Sequence, residues 1–385
     1  MESRYQNILT ELAGKRGGPC LSMYLTTAVG KNGCDETILR FKNLKRKALK
    51  SLNRGYDDSV VHQFTDRLER IEHDTEFWSY QTGGLAVFMT PTYERLEKLR
   101  RKVEDEVVVA DRFYIKPLMY LFQTLDQFLV LAVSMNHVKL YVGDRDRLEA
   151  EAIDDLNLAY NQFWGEPNVD RRMAAMSVAG HSGPNSKSRA LFHNYDDVHA
   201  RRKIDLSRYF SAIDDVVCKA LSAGSSLPVV LAALPEHQDL YRAHSHIKHL
   251  LPKGILGNPD VMSVDDLRNK AWSIIKPHYE FICQQLVSEY SSAAVTGRAS
   301  DQLHQIAKAL SQGRVGKLLI EKNRIIPGKF VADPGVVLFA DINNPHINDL
   351  LDDFADVVEQ NSGTVTVLAK DKMPTDTGVA AIYRY

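Results

Sequence analysis

The sequence predicts a mixed α/β protein with more than one domain, and two observations support this. Short runs rich in β-branched and aromatic residues alternate with segments of helical period along most of the chain. The 385 residues are 44% hydrophobic and 25% charged, which is a typical globular composition. A chain of this length can form two or three separate hydrophobic cores, so we expect several sheets, each covered by helices.

The N-terminal part predicts a small α/β unit. Its expected strands are residues 20–27, 83–89 and 105–115, and its expected helices begin after residue 35 and at about residue 59. Asp35 is a plausible N-cap for the first helix. The charged stretch 94–102 and Pro117 are expected to lie in connections between elements.

The first predicted helix is basic and amphipathic. Apolar residues from Ile38 to Leu52 recur at steps of three and four, which predicts an inward face. The other positions and the preceding loop carry the cations Lys31, Arg40, Lys42, Lys45, Arg46, Lys47 and Lys50. Such a helix is either a solvated face or a phosphate-binding surface, the second helped by free amides near residues 35–37. The loop GKNGC lacks the Gly-Lys-Ser/Thr of a Walker motif, which argues against nucleotide hydrolysis.

The central part predicts a sheet covered by helices. Residues 128–153 indicate an antiparallel meander, followed later by a helix at 205–221, a buried strand at 228–234 and a helix at 235–251. Four histidines occur in the last helix: His237, His244, His246 and His249. His246 and His249 would share one side of that helix, but no HExxH-like pattern accompanies them, and we expect no metal or other cofactor.

Residues 164–203 have no sustained period and contain several glycine and proline breakers, so we expect a long loop of a kind that is usually functional. The chain has a formal net charge of -1, so any affinity for nucleic acid must come from local patches such as this one. Trp164, Phe192, His193 and Tyr195 could stack on bases or pack within the domain. The cations and histidines of the loop include Arg171, Arg172, His181, Lys187, Arg189, His193, Arg201, Arg202 and Lys203.

The C-terminal part predicts a further α/β layer. After a turn-rich segment at 251–260, we expect a long helix with a kink or break at Pro277. Alternating helices and strands follow, up to a final apolar strand at 379–385 that is expected to join a sheet. No uninterrupted apolar stretch is long enough for a membrane span and the N-terminus is polar, so we expect a cytoplasmic protein with no membrane partner. The four cysteines lack CxxC spacing, which argues against a zinc ribbon or a disulfide framework.

Several segments together resemble the bacterial relatives of Pelota and of the archaeal and eukaryotic class-1 release factors, a group that includes Balon-like ribosome-hibernation factors. They are CLSMYLTT and LRFKNLKRKAL near the start, FLVLAVSMNHVKLYVGDRDRLEAEAI and HLLPKGILGNPD in the middle, and GRVGKLLIEK and GTVTVLAKDKMPTDTGVAAIYRY near the end. The resemblance spans nearly the whole chain and depends on diffuse patterns.

The resemblance implies three domains, each a mixed β-sheet with helices: 1–120, a middle domain 121–260 that contains the loop 164–203, and 261–385. It implies a ribonuclease-H-like middle domain and a C-terminal domain similar to ribosomal proteins that bind kinked RNA. Family members enter the ribosomal A site, which implies the ribosome with its 16S and 23S rRNA as partner. An elongation-factor-Tu-type GTPase is implied as a second partner.

Two motifs of the release factors are absent. The chain contains no Gly-Gly-Gln, the motif that promotes hydrolysis of peptidyl-tRNA, and no Asn-Ile-Lys-Ser, the motif that reads stop codons. The resemblance therefore implies a factor that occupies the A site of idle or stalled ribosomes, in hibernation or rescue, and is not an enzyme. The basic residues of the first helix and of loop 164–203 would be its rRNA-binding residues.

Two other functions stay open. A metal-dependent nuclease could use the central sheet with carboxylates such as Asp144, Asp146, Asp154 and Asp155. These residues follow strands, in turns where aspartate is common for local hydrogen bonding. The second alternative is a scaffold protein that does not bind ribosomes.

Overall fold

The computed structural model describes residues 2–28, 33–79, 83–99, 101–123, 125–153, 190–221, 226–341 and 344–385. The chain forms two compact units. The first unit joins residues 1–123 to residues 281–385, and the second unit comprises residues 124–280. Both units combine sheets with helices, which confirms the predicted α/β class. The three domain boundaries expected from the sequence stay a prediction.

The helices and strands are numbered in chain order. The helices are α1 (Glu2–Ala13), α2 (Gly33–Leu52), α3 (Asp58–His73), α4 (Thr75–Ser79), α5 (Lys116–Phe122), α6 (Ala190–Leu221), α7 (Pro235–His244), α8 (Val264–Val295), α9 (Leu303–Ser311) and α10 (Leu350–Gln360). The strands are β1 (Arg16–Thr27), β2 (Gly83–Thr90), β3 (Tyr93–Leu99), β4 (Glu106–Arg112), β5 (Phe128–Val133), β6 (Val138–Gly143), β7 (Leu148–Glu151), β8 (Val229–Ala233), β9 (Ile255–Leu256), β10 (Ala299–Ser300), β11 (Val315–Glu321), β12 (Pro327–Val331), β13 (Val336–Phe339), β14 (Asn348–Asp349), β15 (Thr364–Leu368) and β16 (Val379–Tyr383).

The N-terminal sheet of the first unit is antiparallel, with the order β3-β2-β1-β4. Successive side chains of a strand point to opposite faces, and β1 is buried on both. Leu21, Met23 and Leu25 belong to a core shared with α2 and α3. Cys20 and Tyr24, on the other face, belong to a core shared with the C-terminal segment. The N- and C-terminal segments are therefore packed around a common core.

The C-terminal segment of the first unit contains two sheets. In the sheet β10-β16-β11-β15, β11 and β15 are parallel, and the other neighbours are antiparallel. The second sheet has the order β13-β12-β14. Helix α10 begins at Leu350, where the side chain of Asp349 caps it by accepting a hydrogen bond from the Leu351 amide. The final strand β16 pairs with both β10 and β11, so the prediction that the chain end joins a sheet is confirmed.

The second unit contains a five-stranded sheet with the order β7-β6-β5-β8-β9. Strands β5, β6 and β7 form the predicted antiparallel meander, while β8 and β9 run parallel to β5. This order agrees with the ribonuclease-H-like sheet that the resemblance implies. One face of the sheet packs against apolar residues of α6 and α7, and the other packs against the first half of α8.

Several predicted elements were wrong. Part of the charged stretch 94–102 forms strand β3, which pairs with β2 along its whole length. Pro117 lies in the first turn of α5, where proline costs no backbone hydrogen bond, and Asp35 lies inside α2. Residues 190–203 belong to the long helix α6, so the prediction of a loop was wrong for them.

One further helix is shorter than predicted, and another follows its prediction. Helix α7 ends at His244, where the prediction continued it to residue 251, so His246 and His249 do not share a helix face. Helix α8 confirms the predicted long helix and extends to Val295, with Pro277 in its interior and no break there.

Candidate nucleic-acid interface

Helix α2 packs one face on the N-terminal sheet, as its period predicts. Phe41, Leu44 and Leu52 are at most 3% exposed. Burial of each side chain contributes roughly 1.5–3 kcal/mol to folding. Because these residues fix the rotation of the helix, its basic positions are directed away from the core.

Three of the predicted contact residues on α2 are engaged in ion pairs. The Arg40 guanidinium lies 2.7 Å from Glu36 and 3.0 Å from Asp105. The Lys45 and Lys42 ammonium groups lie 2.5 Å and 3.4 Å from Glu72 on α3. Burial alone would raise the pKa of Glu72, but these two lysines lower it below its ordinary value. Much of this positive charge is therefore balanced within the protein.

The second half of α2 is different. Arg46, Lys47 and Lys50 are exposed, and none of them takes part in the ion pairs of the described residues. We call these three residues the α2 cation cluster. The first turn of the helix holds Asp35 and Glu36, whose charges disfavour an anion at the helix N-terminus. The structure thus favours the second half of α2 as the phosphate-binding part of the helix, in place of the predicted amides near residues 35–37.

The other predicted contact residues are only partly described. Lys203 is exposed on α6, and His193, Arg201 and Arg202 lie within the same helix. Phe192 and Tyr195 are also in α6. The remaining predicted residues lie outside the described part of the chain: Lys31, Trp164, Arg171, Arg172, His181, Lys187 and Arg189.

A buried charge network that the sequence did not reveal joins the two segments of the first unit. The Lys116 ammonium, in a fully buried side chain, lies 2.5 Å from a carboxylate oxygen of Asp349. Arg112 lies 3.1 Å from Asp356. The amide of Ile115 donates to Asp352 at 2.8 Å. Because these contacts link residues more than 200 positions apart, no local pattern could predict them.

The network contains more acid than base, and this affects one carboxyl group strongly. Burial raises the pKa of Asp352 well above its ordinary value, and the nearby charge of Asp349 raises it further. The charge of Lys116 and the hydrogen bond from Ile115 act in the opposite direction. A cavity of about 20 Å³ adjoins these residues, which is room for about one water molecule. The network holds the sheet that supports α2 against the C-terminal segment.

The carboxylates considered for a nuclease do not form a cluster in the described residues. The Asp144 side chain accepts hydrogen bonds from the amides of Asp146 and Arg147, at 2.7 and 3.1 Å, within its own turn. Asp154 and Asp155 lie outside the described residues. No three histidine, cysteine or acidic side chains in the described ranges are placed to hold a metal ion.

None of the described helices is both long and apolar enough to cross a membrane.

Comparison with protein families identifies a release-factor family as similar to the central part of this chain. Residues 127–314 match the family described as bacterial archaeo-eukaryotic release factor family 3. This match supports the resemblance to Pelota and the class-1 release factors that the sequence indicates. No curated protein sequence matches it.

Solved structures of a termination factor, of Pelota and of Dom34 are similar to this chain at low sequence identity. The archaeal translation termination factor aRF1 is 14% identical, with a TM-score of 0.26, and the match covers 100% of this chain and 98% of that one. A ribosome-bound archaeal Pelota, in a structure that also contains ABCE1, is 10% identical with a TM-score of 0.40, and 78% of each chain is covered. Dom34 of S. cerevisiae, a termination-like factor that interacts with Hbs1, is 10% identical with a TM-score of 0.28, over 78% of this chain and 73% of that one.

Proposed function

We propose that this protein is a ribosome-binding translation factor that occupies the A site of idle or stalled ribosomes without hydrolysing peptidyl-tRNA. The observation that carries the proposal is the match of residues 127–314 to a release-factor family in a chain without Gly-Gly-Gln. The family match supports an association with translation. The missing motif argues against hydrolysis in the release-factor manner.

The charge distribution supports binding through local contacts. With a formal net charge of -1, the chain has no global attraction for RNA, so its exposed cations must be concentrated in patches. The α2 cation cluster is such a patch on a well-packed helix. Contacts between cations and phosphates position a protein on RNA, and base contacts and shape then provide selectivity.

The proposal extends to partners and to biological role. We expect contacts with 16S and 23S rRNA, and a translational GTPase of the elongation-factor-Tu type as a second partner, because the family resemblance implies both. Occupation of an A site without chemistry suits hibernation of idle ribosomes or rescue of stalled ones.

The first test is sedimentation of the tagged protein in cell lysates through sucrose gradients at low and high salt. We expect it in the ribosomal fractions at low salt, and a steep loss as salt increases, because several counterions are released on binding. If the protein stays in the ribosome-free fractions at low salt, including in stationary-phase cells, the proposal is wrong.

A second assay tests the absence of chemistry. Ribosomes that carry labelled peptidyl-tRNA are incubated with the purified protein, and release of the peptide is measured. We expect no release above the rate without protein, while a release factor serves as the positive control. Release at the control rate would contradict the proposal even if the protein binds ribosomes.

A further inference from the structure

We infer that residues 244–253 of the second unit form a second contact surface for the phosphate backbone of RNA, an inference that rests on the proposed function. The segment HSHIKHLLPK contains three histidines, two lysines and no carboxylate. Four of its polar side chains are exposed to solvent: His246, Lys248, His249 and Lys253. We call these residues the 244–253 surface.

The first anchor of this surface is a buried carboxylate on α6. Asp214 is 1% exposed, and its Oδ1 atom accepts hydrogen bonds from the hydroxyl groups of Ser245 at 2.6 Å and Tyr241 at 3.2 Å. Its Oδ2 atom accepts one from the amide of His246 at 2.6 Å and lies 3.1 Å from the Nδ1 atom of that residue. The thiol of Cys218 on α6 also donates to Oδ2, at 3.6 Å, and the other contacts of Asp214 fix the chain where α7 ends.

The second anchor is the central sheet. The Val229 amide of β8 donates to the carbonyl of His249, and the Leu251 amide donates to the carbonyl of Val229, both at 2.8 Å. Between the two anchors, Ile247 and Leu250 pack against the core of the second unit. The segment thus follows a fixed path although it lies outside regular helices and long strands.

A fixed backbone matters because it orients the polar side chains before any ligand arrives. The side chain of His246 is 81% exposed, and because its Nδ1 atom faces Asp214, its Nε2 atom is the ring nitrogen available to a ligand. Lys248 and His249 extend from the stretch between the two anchors. Lysine ammonium groups donate hydrogen bonds to phosphate oxygens, and the Nε2 atom of His246 does so only when the ring is protonated, since Nδ1 faces Asp214. Donors that are ordered in advance lose less entropy on binding.

The sequence alone suggested a different arrangement. A helix at 235–251 would have placed His246 and His249 on one side, with Lys248 elsewhere. Because α7 ends at His244, the segment instead runs between Asp214 and β8. Asp214 could not be associated with this segment from sequence, since it lies 31 positions before Ser245.

The test replaces the two lysines of the surface in the full-length protein, Lys248→Ala with Lys253→Ala. The matched control replaces two exposed lysines elsewhere in the second unit, Lys219→Ala with Lys276→Ala. Binding to a fluorescent single-stranded RNA of about 20 nucleotides is measured by anisotropy between about 50 and 200 mM salt. Loss of two phosphate contacts makes the slope of log K against log salt shallower by about 1.4, at about 0.7 per contact. The wild-type-to-variant affinity ratio then increases about sevenfold from 200 to 50 mM salt. The control pair should keep the wild-type slope.

The outcomes separate this inference from the proposed function. If the wild type sediments with ribosomes and both variants keep its slope on RNA, the 244–253 surface is not an RNA contact, although ribosome binding stands. If the wild type does not sediment with ribosomes but the surface variant alone has a shallower slope on RNA, the proposed function fails and the surface assignment stands. Binding of fluorescent polyglutamate is measured in the same way. If the wild type binds polyglutamate more tightly than RNA, and the surface variant loses that binding, the surface contacts an acidic protein and the inference is wrong.

Discussion

The ion pair between Lys116 and Asp349 gives a sharp test of how the first unit is held together. The Lys116 side chain is fully buried and that of Asp349 is 2% exposed, so water cannot compensate either charge if its partner is removed. Breaking a buried pair in this way costs about 3–5 kcal/mol. We therefore expect Lys116→Met to lower the free energy of unfolding by about that amount, and Asp349→Asn to be comparably destabilising.

The double variant distinguishes a charge effect from a packing effect. With Lys116→Met and Asp349→Asn together, no unpaired charge of this pair remains, and asparagine keeps a side-chain oxygen that can cap α10. We expect it to recover at least about 2 kcal/mol relative to the sum of the two single variants, which is a coupling typical of groups in one network. The matched control is Lys317→Met, since the Lys317 and Glu289 side chains are 43% and 44% exposed at a distance of 2.7 Å. An exposed pair of this kind contributes about 0–1 kcal/mol.

The assay is urea unfolding followed by tryptophan fluorescence. Trp78 is buried in the first unit, where it packs against Phe41 of α2. Replacing Trp164 and Trp272 with phenylalanine leaves Trp78 as the only tryptophan, since the chain has three. The reasoning is refuted if Lys116→Met costs no more than the Lys317→Met control, or if the two single effects simply add.

Three further predictions concern the charges of the protein. Asp352→Asn should stabilise the protein increasingly as pH increases. The raised pKa of Asp352 gives stability that is full below the unfolded-state pKa and is lost as pH rises through the folded-state pKa. Urea unfolding from pH 5 to pH 8 measures the gain in the variant, and a gain that shrinks with increasing pH would contradict the prediction. Replacing the α2 cation cluster with alanine should make the salt slope of RNA binding shallower by about 2, at about 0.7 for each of three contacts. Lys42→Ala with Lys45→Ala should change the slope by less than the roughly 1.4 of two free contacts, because both lysines pair with Glu72; a change of about 1.4 would show that these pairs do not limit binding. Replacing Arg171, Arg172, Lys187 and Arg189 with alanine should lower the salt slope without changing the melting temperature; an unchanged slope would show that these residues do not contact RNA.

The parts of the fold that follow from local patterns could be predicted from the sequence. The buried face of α2 follows from its three- and four-residue spacing, and the meander β5-β6-β7 from its apolar strands separated by short turns. Strand β3 could not be predicted in this way because its charged residues are satisfied by neighbours distant in sequence. Arg95, for example, pairs with Glu11 of α1 at 2.8 Å.

In the candidate sites, too, local patterns could be predicted from the sequence and non-local contacts could not. The sequence identified the basic character of α2, but only the structure shows that Glu72 and Asp105 balance part of its charge. The fixed path of residues 244–253 depends on Asp214 and on Val229 of β8, and both contacts are non-local. A sequence pattern can reveal which charges are present, whereas their availability depends on how the chain packs.

The most direct test of A-site occupation is a cryo-EM map of ribosomes purified with the tagged protein from stationary-phase cells. We predict density for this chain in the A site, with the α2 cation cluster in contact with rRNA and peptidyl-tRNA, where present, left intact. Ribosomes with an empty A site, or with the protein bound only at another place, would contradict the central claim.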